Sequence, residues 1–126
     1  MSRWVFDAGA LIALDRNDRA MWARLAIAQQ REISILSHGG VVGQVWRRPP
    51  RQPRLALALR GIDVRPLDLE LGKRAGVLLA ACGAVDVVDA ALVALCANED
   101  RVYTSDPKDL DALAAAAGLR IGLVRV

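Results

Sequence analysis

The sequence predicts an α/β fold built on a mainly parallel sheet. Three observations carry that expectation. Short β-branched or aromatic runs alternate with longer helical stretches along the chain, and strands that run parallel need such a crossover between them. Of the 126 residues, 54% are hydrophobic but only 4% aromatic, and Ala, Leu and Val dominate, which suits helices packed on a small sheet better than a sandwich. A chain of this length buries one core, so a single domain over residues 1–126 is expected.

Trp4-Val-Phe-Asp7 reads as a short buried strand ending in an acid. Residues 9–15 follow as a short helix. A longer amphipathic helix begins at Asn17, with Met21, Trp22, Leu25 and Ile27 apolar and Arg19, Arg24, Gln29 and Gln30 polar. Ile33-Ser-Ile-Leu36 is the second strand. Residues 41–47 form a helix that stops before Pro49 and Pro50, because proline cannot donate to the helical ladder and restricts the residue before it. Residues 52–60 make another helical stretch, closed by Gly61. The third strand is 62–67, and the next helix, Leu69–Cys82, ends at Gly83. Residues 86–98 form a helix apolar on nearly every side, which places it inside the domain. Arg101–Thr104 is the fourth strand. Pro107–Ala117 is a helix with proline at its first position and Gly118 at its end, and 121–126 supply a last strand. The basic, proline-rich run at 47–53 is a loop within the domain rather than a boundary.

Composition also excludes several function classes. Asp7 interrupts the opening apolar stretch and no cationic leader is visible, so no export signal is read. The most apolar stretch, residues 75–85, is far shorter than the ~20 residues of a membrane span. A soluble, cytoplasmic protein without a membrane partner is expected. Cys82 and Cys96 lie in apolar helical stretches without C-x-x-C spacing and read as reduced, buried thiols. His38 is the sole histidine, which leaves His-based nucleophilic catalysis unsupported; a helix-start or surface role fits it better. The net charge is +3, and its distribution says more than its total. No acid occurs from 33 to 62, where Arg47, Arg48, Arg51, Arg54 and Arg60 all fall. A planar guanidinium matches phosphate oxygens two at a time, so the segment fits either a phosphodiester partner or a solvated basic face.

Acids gather where an open α/β sheet keeps its ligands, beyond the carboxyl ends of the strands. Asp7 closes the first strand. Asp86 and Asp89 stand three apart on the first turn of the buried helix, and Asp106 and Asp109 follow the fourth strand at the same spacing. Any one of them is explained by capping: Asp7, Asp86 and Asp106 each precede a helix. The set is not, because Ser, Thr or Asn cap equally well and clustered carboxylates repel one another. A hard divalent cation, held by one or two carboxylates and its own waters, removes that cost. It also suits metal-assisted phosphodiester hydrolysis.

Phe-Asp-Ala-Gly-Ala-Leu-Ile-Ala-Leu-Asp at 6–15, Val-Val-Asp-Ala-Ala-Leu-Val-Ala-Leu at 87–95 and Val-Tyr-Thr-Ser-Asp-Pro-Lys-Asp-Leu at 102–110 resemble, in order and spacing, the acidic blocks of PIN domains. The whole chain resembles the toxins of VapC type. The resemblance implies a PIN-like three-layer α/β/α fold with a central, mainly parallel sheet of four to five strands. It implies an Mg²⁺- or Mn²⁺-dependent endoribonuclease acting on structured RNA such as tRNA or rRNA, usually a homodimer and silenced by a cognate VapB-type antitoxin. Asp7, Asp89 and Asp106 match the first, third and fourth family acids as catalytic metal ligands. Asp86 and Asp109 are extra acids beside the last two.

The departure lies at the second acid. Its block reads Gly-Gly-Val-Val-Gly-Gln-Val-Trp-Arg at 39–47, so Gln44 stands where the family usually has Glu. An amide oxygen can hold a metal-bound water but carries no charge. Either Asp86 or Asp109 makes up the charge, with Gln44 as auxiliary, or the site binds metal poorly and the protein is an RNA-binding or antitoxin-binding module. Arg47, Arg48, Arg51 and Arg54 are candidate contacts to the RNA backbone. Thr104 and Ser105 are candidates for orienting a ligand or a water.

Overall fold

The computed structural model describes residues 2–126. Among them, five strands form one sheet: β1 (Trp4–Phe6), β2 (Ile35–His38), β3 (Asp63–Arg65), β4 (Arg101–Thr104) and β5 (Gly122–Arg125). Their order is β3-β2-β1-β4-β5, and every pairing is parallel. The helices are α1 (Ala8–Asp15), α2 (Arg19–Gln30), α3 (Gly39–Val45), α4 (Pro53–Leu59), α5 (Leu69–Cys82), α6 (Val87–Leu95) and α7 (Pro107–Ala117).

Strand order dictates which face each helix covers. Parallel crossovers are right-handed almost without exception. The chain steps one way from β1 through β2 to β3, and the opposite way from β3 to β4 and β5. The first four helices therefore share one face and the last three share the other. The packing agrees: α1 contacts α2, α3 and α4, whereas α5, α6 and α7 contact one another. The expected three-layer α/β/α arrangement holds, with a sheet that is wholly parallel.

Both faces of the central strand are buried, and Val5 and Phe6 are inaccessible. Leu11 and Leu14 of α1 cover one side of the core; Ala90, Ala91, Leu92 and Val93 of α6 are also buried. That is why α6 is apolar all round. No single helix among the described residues is long and apolar enough to cross a membrane.

Several boundaries differ from those expected, each for a local reason. The second helix starts at Arg19 rather than Asn17, because Asn17 takes a left-handed φ of 61° and Asp18 caps through its side chain. The second strand runs 35–38 rather than 33–36. Glu32 turns the chain at φ 56°, and the Ile33 N–H is still tied to Ala28 O of α2. Strand β2 then continues through Ser37 and His38, both fully buried. The third helix accordingly begins at Gly39 and stops at Val45, and the third strand is an exposed edge of three residues. Helix α6 ends at Leu95 rather than 98, since Cys96 is extended and Glu99 takes φ 72°.

Candidate active site

The strand order reverses at the boundary between β1 and β4, where crossovers depart to opposite faces of the sheet. In open α/β sheets such a switch point opens a crevice at the carboxyl edge. Asp7 leaves β1 there and caps α1, its Oδ1 accepting from the Ala10 N–H at 3.1 Å. Asp106 leaves β4 two residues after Thr104. Asp86 caps α6, with its Oδ1 accepting both the Val88 and Asp89 N–H groups at 2.9 and 3.1 Å. Its second oxygen makes no such contact. Asp89 and Asp109 stand in the first turns of α6 and α7. One sequence expectation is corrected here: Asp106 makes no side-chain cap, and its backbone N–H donates to Thr104 Oγ1 at 2.9 Å instead.

Electrostatics join these five side chains into one group. Burial pushes the Asp89 pKa up to about 6, and the charges of Asp86, Asp7, Asp109 and Asp106 add to it. Asp7, 8% exposed, is raised by burial. The Thr104 hydroxyl and the N–H groups of Ala10, Gly9 and Ser105 work against that rise. Asp109 is raised by the neighbouring Asp106 carboxylate. The ion pairs among the described residues, Arg3–Asp100, Arg65–Asp63 and Arg120–Glu99, all lie elsewhere. Lys108 lines the same depression as Asp86, Asp89 and Asp109 without pairing to them.

The donor set suits a hard cation: carboxylate oxygens that repel one another and lack a protein counter-charge. Among the described residues, no group of three or more acidic, histidine or cysteine side chains is placed to hold a metal ion by itself. The fit is therefore to an ion held by one or two carboxylates that keeps several waters, as Mg²⁺ does.

Residues not singled out as site residues from the sequence hold this edge together. His38 starts α3 as expected but is fully buried rather than at the surface. Its Nδ1 accepts from the Gly40 N–H at 3.0 Å, which leaves Nε2 to donate to Val88 O at 2.9 Å. One imidazole thus ties the end of β2 to the first turn of α6, beside Asp89. Ser37 Oγ donates to Phe6 O at 2.9 Å and braces the strand that delivers Asp7. Gly9 sits under the β4–α7 loop, where a Cβ would lie 2.4 Å from Ser105 Oγ and 2.9 Å from Ser105 N. Only glycine admits that approach. Such roles depend on partners distant in sequence; a lone histidine before Gly-Gly was the one available signal.

Gln44 does not join the acids. It is exposed on α3 and lines a separate groove with Arg16, Arg47, Arg48 and Arg51. Helix α3 leaves the carboxyl edge beside α1, so a residue near its end faces the C-terminal half of α1 and not Asp7. Arg54 is exposed on the first turn of α4, outside that lining. Of the cysteines, Cys96 is buried, with its thiol pushed up to about 12 by burial, whereas Cys82 is only half-buried. Both are unoxidised.

The wholly parallel, five-stranded α/β/α sandwich matches the PIN-like fold that the resemblance implied. Among solved structures, the chain is similar to a chain of VapBC2 from Rickettsia felis, crystallised bound to a DNA fragment from their promoter. The TM-score is 0.66 at 11% identity, over 95% of this chain and 97% of that one. No family model and no curated protein matches the sequence.

Proposed function

We propose that the protein is a metal-dependent endoribonuclease of PIN type, acting as the toxin of a VapBC-like pair. The observation that carries this is that Asp86, Asp89 and Asp109 share one depression while Asp7 and Asp106 follow the ends of the adjacent paired strands β1 and β4, none of the five being ion-paired among the described residues. Capping accounts for Asp7 and Asp86 but not for Asp89, Asp106 and Asp109 beside them, whose mutual repulsion a ligand of opposite charge would relieve.

Asp7, Asp89 and Asp106 would hold Mg²⁺ or Mn²⁺, one or two of them directly and the rest through the ion's waters, with Asp86 and Asp109 adding charge beside them. The chemistry supplied by a bound divalent ion is charge neutralisation on the phosphate and a lowered pKa for water. The chain's own residues do the rest. The Ala10 N–H holds the Asp7 carboxylate in place at the start of α1. His38 positions the α6 turn that carries Asp89. Ser105 lies over Gly9 at the mouth of the crevice and orients the entering strand or its water. The fold likeness to a VapBC2 chain supports a VapB-type antitoxin as partner; a homodimer and a cytoplasmic setting belong to the same proposal.

Asp7→Asn tests it. The amide keeps an oxygen to cap α1, so the fold survives. Cleavage of a structured RNA in Mn²⁺ falls about 100-fold or more, equivalent to ~2.7 kcal/mol of barrier, and chelation abolishes it in the parent. Full activity in the purified variant contradicts the assignment.

A further inference from the structure

The loop after α3 is built to display arginines. Gln52, only 6% exposed, is its pin. Gln52 Oε1 accepts from the backbone N–H groups of both Arg47 and Arg48, at 2.9 and 2.8 Å. Its Nε2 donates to Val45 O at 2.8 Å and to Asp15 Oδ2 at 3.3 Å. One buried amide thereby ties the chain where α3 ends to the C-terminal end of α1. The side chains of Arg47, Arg48 and Arg51 are left exposed around a groove of about 310 Å³ that also includes Arg16 and Gln44. None of these four arginines has an acid within ion-pair distance among the described residues. The one carboxylate in the groove, Asp15, is engaged by Gln52.

We infer that this groove is a phosphate-binding subsite for a single RNA strand, with Gln44 as a neutral hydrogen-bonding group inside it rather than a member of the metal site. The inference deepens the ribonuclease proposal and rests on it for the identity of the strand. Its geometry is independent. Guanidinium groups grip phosphate oxygens in pairs, and four unpaired ones in a small groove make a local field that a phosphodiester backbone satisfies. Helix α1 carries Asp7 at one end and Asp15 and Arg16 at the other. Its eight residues span ~12 Å, so a strand lying along α1 reaches from the groove to the acids. Replacing Gln44 by an acid places a negative charge among the arginines.

The test measures binding apart from cleavage. Fluorescence anisotropy of a labelled single-stranded RNA oligonucleotide is recorded in EDTA, over 50–200 mM salt, for the parent, for Arg47→Ala/Arg48→Ala/Arg51→Ala and for Gln44→Glu. Each single-strand phosphate contact contributes about 0.7 to the slope of log affinity against log salt. The triple variant is expected to lower that slope by about 2 and to weaken binding similarly for different oligonucleotide sequences. Gln44→Glu is expected to weaken RNA binding and leave Mg²⁺ affinity unchanged. An unchanged slope in the triple variant overturns the inference, as does tighter Mg²⁺ binding by Gln44→Glu. Displacement of RNA by poly-glutamate at equal charge concentration assigns the groove to an acidic peptide instead. If the parent binds RNA through the groove but never cleaves it, the subsite stands and the ribonuclease proposal fails; cleavage with an unchanged slope gives the converse.

Discussion

Asp89 shows how a single carboxylate reports on its surroundings. It is half-buried, faces four other aspartates and titrates near 6 instead of 3.8. A folded-state pKa above the unfolded one means that the folded chain binds the extra proton. This carboxylate therefore favours folding below 3.8, and that advantage is lost as the pH rises to about 6. Asp89→Asn removes the repulsion, so in chelator at pH 7 its melting temperature is expected to exceed the parent's, while the gain from added Mg²⁺ shrinks. Scanning calorimetry with and without the ion checks both; an equal or lower melting temperature in chelator contradicts the electrostatic account. Asp7, Asp86, Asp89, Asp106 and Asp109 were legible in the sequence because an acid after a strand or in a helix's first turn has a predictable place. Gly9 and Gln52 were not, since their roles come from Ser105 and from the backbone of residues 45–48.

At the scale of elements, the site depends on how α6 is seated. Asp86 caps it, five consecutive alanine, leucine and valine residues bury it, and His38 ties its first turn to β2. The cap and the burial were readable from Asp-Val-Val-Asp and the apolar run. The tie was not, because His38 belongs to a strand that the sequence places two residues too early. His38→Ala leaves the Val88 carbonyl and the Gly40 N–H without their partners, at a cost of about 1–3 kcal/mol for each group that stays buried. His38→Asn restores an N-cap for α3 but is too short to replace the imidazole at Val88. It should recover part of the stability and little of the cleavage rate. Urea denaturation beside an RNA cleavage assay separates the two; equal recovery of both would reduce His38 to a cap.

At the scale of the molecule, the alternation of strands and helices was enough to predict a parallel sheet. The order β3-β2-β1-β4-β5 follows from no local signal, because it depends on which strand each crossover returns beside. The start of β1 is joined to the start of its neighbour β4 by an ion pair: Asp100, 1% exposed, accepts from the half-buried Arg3 guanidinium at 2.9 Å, the Arg3 N–H at 3.0 Å and the Ala97 N–H at 2.8 Å. Those bonds outweigh burial and hold its pKa below the ordinary 3.8. Its contribution is therefore present above that value and lost as the pH falls through the lower folded one. Between about 6 and 3.8 in chelator, the gain from Asp89 is opposed by buried His38, whose lowered pKa costs stability as the pH falls; below 3.8 the loss of Asp100 makes the profile drop. His38→Asn should therefore raise stability at pH 4 relative to pH 7 by more than the parent shows. A profile still rising below 3.8 would contradict the role given to Asp100.

The ribonuclease proposal is tested most directly by mapping the RNA ends that the purified protein produces in Mn²⁺, with Asp7→Asn and chelator as controls. Ends at a small set of positions, present only with the ion and absent from the variant, are the predicted result. The same ends in the Asp7→Asn sample or in chelator, or none in the parent, would contradict a metal-dependent cleavage site at the β1–β4 switch point.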